Sequence, residues 1–198
     1  MIASPATRIT ARRNSYRQTF ALALAAFLLT PEPPAAGLLS SEPLVAGLRL
    51  FYGPGEGFET VDARLINNAR VSIDLAAFVL TDRDVVGALG RAAARGVKIR
   101  IYLDGAEAAR SARAIDALAG APNVDVRRKA ISGDMMHLKS FQIDGRILRT
   151  GSANFSFSAG AYQDNDLLVI ESPQAAARFR EHFERLWARP ENERVGFK

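Results

Sequence analysis

Past residue 47 the chain alternates short apolar runs of β character with longer segments in which apolar residues recur every three or four positions. Leu48-Arg-Leu-Phe-Tyr52 reads as a strand, followed by the Gly/Pro-rich turn Gly53-Pro-Gly-Glu-Gly57 and a helix to about Ala69. Val71 to Leu80 is a nearly continuous apolar run rich in β-branched residues, as expected of a strand covered on both faces. Thr81 or Asp82 then caps a helix running to Arg95, with Gly96 as its stop. Val97 to Leu103 is a strand, 106 to 119 a helix, and Val124 to Arg127 a short strand. Such alternation predicts the α/β class, with a mixed, mostly parallel sheet flanked by helices.

The last third changes character. Two β runs, Met136 to Ile143 and Arg146 to Thr150, are joined by Asp144-Gly145, a strong two-residue hairpin signal. Asn165 to Glu171 is a further strand, and Pro173 opens a final helix in which Phe179, Phe183, Leu186 and Trp187 recur at helical spacing. No internal repeat interrupts the pattern, so residues 38–198 are expected to form a single domain.

The first 37 residues follow a different pattern. Arg8, Arg12, Arg13 and Arg17 precede the apolar run Phe20 to Leu29, and Thr30-Pro-Glu-Pro-Pro-Ala-Ala-Gly37 follows it. A ten-residue helix spans about 15 Å, half the apolar thickness of a bilayer. The segment fits an export signal cleaved near Ala36 or Gly37, which places the protein in the periplasm or outside the cell. The alternatives are a buried or amphipathic helix, a twin-arginine signal at Arg12-Arg13, and an uncleaved signal that anchors the chain to a membrane. No apolar run approaches the roughly 20 residues of a membrane span.

Composition narrows the chemistry. The chain has 198 residues, 48% of them apolar, which is enough to bury one core. It has no cysteine, which removes thiolate metal sites and cysteine nucleophiles, and its two histidines are His137 and His182. No histidine or carboxylate cluster has ligand spacing, so neither a metal nor another cofactor is expected. The net charge of +5 suggests an anionic partner, but without residues 1–37 there remain 22 basic and 20 acidic side chains, a balance of +2.

The informative segment is His137-Leu-Lys139-Ser-Phe-Gln-Ile-Asp144-Gly-Arg-Ile-Leu-Arg-Thr-Gly151-Ser152-Ala-Asn154. On a strand, positions i and i+2 share a side about 7 Å apart, which would bring His137 and Lys139 into a common space. An imidazole beside an ammonium suits attack on a phosphodiester: one group is nucleophile or acid near neutral pH, the other holds phosphate oxygens. Gly151 lets the backbone approach a ligand, and Ser152 and Asn154 add neutral donors, so Lys139, Ser152 and Asn154 are the candidate phosphate binders. Against this, His137 and Lys139 also read as an exposed strand pair, Asp144 as an ordinary hairpin residue, and Ser152 and Asn154 as turn formers.

Taken together, the spacing H-x-K-x4-D-x6-G-S-x-N resembles the signature of the phospholipase D superfamily. The order of strands and helices over residues 48–188 is similar to that of its small single-motif bacterial members, which include secreted endonucleases and phospholipase D-like enzymes. The resemblance implies a metal-independent phosphodiesterase acting on a phospholipid head group or a nucleic acid, by way of a phosphohistidine. It also implies that Asp144 is a structural brace. Family chemistry uses two histidines, and one motif supplies one. His182 sits in Glu181-His-Phe-Glu184 on the border of a helical apolar stripe and reads as structural or surface. A homodimer is therefore expected, with one composite site. Family members commonly place a Glu before the next strand to orient the histidine. Here that position is Asn165, flanked by Asp164 and Asp166, and Asp166 is the favoured replacement. The loop Gly53–Gly57 is a candidate rim element, though it reads first as a plain turn, while Phe78, Phe155 and Phe157 read first as core and otherwise as contacts to an acyl chain or a base. An inactive binding module of the same fold is the alternative of a different class.

Overall fold

The computed structural model describes residues 47–118, 120–131 and 134–195; the segment 1–37 expected to be an export signal lies outside them. The elements are β1 (Leu48–Tyr52), α1 (Phe58–Asn67), β2 (Ser72–Ala77), α2 (Arg83–Ala94), β3 (Lys98–Leu103), a 3₁₀ turn (Ala108–Ser111) leading into α3 (Ala112–Leu118), β4 (Val124–Arg128), β5 (Lys139–Ile143), β6 (Ile147–Gly151), α4 (Phe157–Ala161), β7 (Asp166–Glu171), α5 (Pro173–Trp187) and β8 (Glu193–Arg194). One eight-stranded sheet has the order β1-β7-β6-β5-β2-β3-β4-β8. The sheet is mixed and flanked by helices, as expected, but it is not mostly parallel. Only β2–β3 and β3–β4 run parallel, and the other pairings are antiparallel. After β4 the chain returns to the far side of β2, where β5, β6 and β7 lie beside one another in turn without a crossover helix, and α5 then carries the chain across the sheet to β8 beside β4.

Local signals explain the boundaries. Asp82 caps α2 by accepting from the backbone N–H of Asp84 (2.9 Å) and Val85 (3.0 Å), while Ser172 caps α5 through Ala175 N–H (3.2 Å). Asp144 and Gly145 both adopt left-handed φ, 54° and 66°, the requirement of a tight hairpin turn whose twist matches the strands.

The sheet has two covered faces. On one, α1–α4 pack against Ile73, Leu75, Ile99, Ile101, Phe141, Leu167 and Val169. On the other, α5 lays Phe179, Phe183, Leu186 and Trp187 on Ala76 and Tyr102. β2 is buried along almost its whole length because it lies under both layers. Among the described residues no helix is long and apolar enough to cross a membrane.

Candidate active site

Strand direction assembles the site at one edge of the sheet. β2 and β3 run parallel and end there at Ala77 and Leu103, while antiparallel β5 begins there at Lys139, opposite Ala77. β6 ends at Gly151, opposite Leu167 just inside the start of β7, and Tyr52 at the end of β1 faces Asp166.

Lys139 is 5% exposed, although it carries a charge. Its ammonium donates to the carbonyl oxygen of His137 (2.7 Å) and lies 4.8 Å from the ring centroid of Phe78. Burial lowers its pKa below the ordinary lysine value. The exposed His137 imidazole packs against the same Phe78 ring in an edge geometry, centroids 4.5 Å apart. His137 does not lie on the expected strand, because β5 starts two residues later. Its position is set instead from the two sides. Met136 N–H donates to Asp104 Oδ2 (2.8 Å), and Asp104, buried at the end of β3, also accepts from Ala106 N–H (3.0 Å) and Glu107 N–H (3.1 Å). Phe78 N–H donates to Leu138 O (2.9 Å), which ties the approach to β5 onto the end of β2.

The second limb of the motif is a tight turn. Gly151 has φ +143°, and a Cβ there would meet the Asp166 carbonyl oxygen at 2.4 Å, so the backbones approach as only glycine allows. Ser152 N–H donates to Asp166 Oδ1 (2.9 Å); Ser152 Oγ donates to Asn165 Oδ1 (2.9 Å) and accepts from Asp166 N–H (2.9 Å). These bonds, the Ser152 side chain first, hold the Asp166 carboxyl below the usual carboxylate range. Asn154 Oδ1 is enclosed and has no hydrogen-bond partner among the described residues. Phe155 O then accepts from the N–H of Thr81 (2.8 Å) and Asp82 (2.9 Å), which anchors the turn beyond β2.

The family model described as "Cardiolipin synthase, PLD-like domain" matches residues 63–187. The chain belongs to the phospholipase D-like family. It is 29% identical over 122 residues to a mitochondrial cardiolipin hydrolase of Chlamydomonas reinhardtii, covering 62% of this chain and 54% of that protein. It is 30% identical over 132 residues to a phospholipase D of Rickettsia conorii, covering 67% of this chain and 65% of that one. The phospholipase D-like chain thus spans between about half and two thirds of these relatives. Among solved structures, Nuc from Salmonella typhimurium, a phospholipase D family member, superposes with a TM-score of 0.69 at 25% identity, covering 76% of this chain and 98% of Nuc.

Other expected residues fall elsewhere in this phospholipase D-like fold. Asp144 lies at the opposite edge, about 17 Å along β5 from Lys139, and accepts from the backbone N–H of Arg70, Val71 and Ser72 at 2.8–2.9 Å. Asp166, expected beside the imidazole, is engaged by Ser152. Among the described residues no hydrogen bond joins it or Asp164 to His137. His182 is exposed on α5, its Nδ1 3.5 Å from an Arg185 nitrogen. The Gly53–Gly57 loop does border the site, since Gly53 N–H donates to Asn165 O (2.9 Å). Phe155 is core and Phe157 is exposed. A hollow of about 950 Å³ lined by Asp74, Arg100, Arg180 and Glu184 contains no motif residue. Among the described residues no group of three or more His, Asp or Glu side chains could hold a metal.

Sequence reasoning missed Asp104, Asp62 and Arg149, and it read Phe78 first as core, with contact to an acyl chain or a base as the alternative. Asp104 carried a signal, an acid at the carboxyl end of a parallel strand, where α/β folds place ligand sites. Phe78 carried a weak one, its place near a strand end, which an aromatic closing an apolar run shares with core residues.

Proposed function

We propose that this chain is a metal-independent phosphodiesterase that works through a phosphohistidine at His137. One imidazole nitrogen attacks phosphorus while the bond from phosphorus to the leaving oxygen breaks. The imidazolium of His137 of the partner subunit gives its proton to that oxygen. The same ring, now neutral, takes a proton from water, whose oxygen attacks phosphorus and releases His137. Lys139 and Asn154 hold the phosphate oxygens as negative charge builds, while Ser152, expected to bind phosphate too, gives its hydroxyl to Asn165 and its N–H to Asp166 and so holds the turn. A homodimer is required because one chain carries one motif, and the two histidines then titrate as a pair.

The observation that carries the reading is the Phe78 contact. A buried ammonium and an exposed imidazole meet on one ring, beside the turn that presents Ser152 and Asn154. Relatives named cardiolipin hydrolase and phospholipase D favour a phospholipid substrate. A nucleic acid is the second reading. It is favoured by a hollow of about 750 Å³ rimmed by Arg83, Arg110 and Arg113, which begins at Thr81 next to the motif turn. Export through residues 1–37 completes the proposal.

The test is turnover in EDTA on phosphatidylcholine, cardiolipin, plasmid DNA and RNA, with His137→Asn as control. Lipid turnover lost in His137→Asn supports the first reading, and preferential nucleic-acid cleavage replaces it with the second. An active His137→Asn variant, or an active strict monomer, overturns the mechanism.

A further inference from the structure

Arg149 is a charged side chain with no exposed surface, and its partner Asp62 is 2% exposed. Nε and one terminal nitrogen of the guanidinium donate to the two oxygens of Asp62, each at 2.8 Å. The other terminal nitrogen donates to the backbone carbonyls of Lys139 (2.8 Å) and Ala153 (3.2 Å). The guanidinium carbon also lies 4.5 Å from the centroid of the Phe155 ring. Arg149 therefore touches the residues on either side of Asn154 as well as the main chain of Lys139.

The placement matters because the strand ladder stops there. β5 and β6 pair from Ile143↔Ile147 to Phe141↔Arg149, and beyond that point Gly151 turns away with its positive φ. Past the last ladder pair, the Ser140–Thr150 side-chain bond (2.9 Å) and the Arg149 fork join the limb bearing Lys139 to the limb bearing Ser152 and Asn154. Asp62 in turn fixes the fork from α1, across the core. Buried ion pairs give little net stability, because desolvation offsets attraction, and apolar pairs of similar volume replace them at little cost. Replaced together by apolar residues such a pair costs a fold little, yet here the hydrogen bonds the guanidinium makes beyond Asp62 go to Lys139 and Ala153, both within the motif.

We propose that Arg149, oriented by Asp62, is a positioning residue that sets the separation between Lys139 and Asn154 and so the width of the phosphate site. The inference rests on the assignment of those two residues to phosphate binding. A displacement of about 1 Å at such a site costs about a hundredfold in rate, which a guanidinium fork prevents and a flexible side chain does not.

The experiment compares wild type, Arg149→Lys and the double variant Asp62→Leu/Arg149→Met for thermal midpoint and for kcat and KM on bis(p-nitrophenyl) phosphate. The expected result is a double variant that melts within a few degrees of wild type with kcat about a hundredfold lower and KM within about threefold. Arg149→Lys keeps the charge and loses the fork, and its kcat is expected to fall about tenfold. A double variant with near-wild-type melting and kcat within about twofold of wild type overturns the proposal, since the pair then serves the fold alone. If the double variant does not fold, a folded Arg149→Lys with wild-type kcat overturns it and a slow one supports it. Activity in His137→Asn, run alongside, indicts the site assignment itself and is distinct from either outcome.

Discussion

Lys139 turns its ammonium back onto the carbonyl oxygen of His137, the residue whose ring shares Phe78 with it. The cation is thereby held 2.7 Å from the main chain of the residue proposed as nucleophile, already largely stripped of water. In the proposed mechanism such a group meets an incoming phosphate without first having to be positioned.

Lys139→Met is expected to lower kcat/KM by about a hundred- to a thousandfold, the usual cost of removing one preorganised donor to a developing anion. Steady-state kinetics on a soluble phosphodiester measures it, and a loss below about tenfold would contradict the role.

Burial lowers the Lys139 pKa, so the ammonium loses its proton at a pH below that of a free lysine as pH rises. The alkaline limb of kcat/KM should therefore lie below about pH 10.4. Phe78→Ala opens the site to water and should move that limb upward while reducing activity about tenfold through the freed imidazole. A pH–rate profile of both proteins decides, and an unmoved limb would show that Phe78 does not shield the ammonium.

Asp166 is expected to govern acid stability near Ser152. Its folded pKa lies below the unfolded value, so its contribution is present above the unfolded pKa, near 3.9, and is lost as pH falls through the folded pKa. The carboxylate is mostly solvent-screened, so the effect is small. Thermal melts of wild type and Asp166→Asn should diverge above about pH 4 and converge below the folded pKa.

Asp144→Ala removes the acceptor of three backbone N–H groups and places alanine at φ 54°. A loss of about 2–4 kcal/mol is expected from denaturant titration. Turnover per folded molecule should stay near wild type, because the turn lies at the edge away from His137.

Features carried by a few neighbouring residues were legible in advance: the Asp82 cap, the Asp144-Gly145 turn, and the spacing from His137 to Asn154. Apart from the β5–β6 hairpin, the direction of the later strands was not, because alternation reads the same whichever way a strand runs. Nothing in the segment between β4 and β5 states that it crosses to the other side of β2. The Asp62–Arg149 pair left half a trace. Asp62 falls on the buried stripe of α1 with Phe58, Leu65 and Ile66, and Arg149 interrupts a β run, so each is a charge at an inward position. That they answer one another across 87 residues is a fact of tertiary packing alone.

The mixed sheet divides the molecule into a working rim and a silent one. Ala77, Leu103, Lys139, Gly151 and Asp166 end or begin their strands at the first, whereas Ser72, Lys98, Ile143 and Ile147 do so at the second. Insertions or surface tethers at the exposed Gly96 turn, on the silent rim, would leave the chemistry untouched and facing outward. New selectivity for one phosphodiester over another has to be written into the connections of the working rim, above all the residues Asp134 to Met136 that lead into His137.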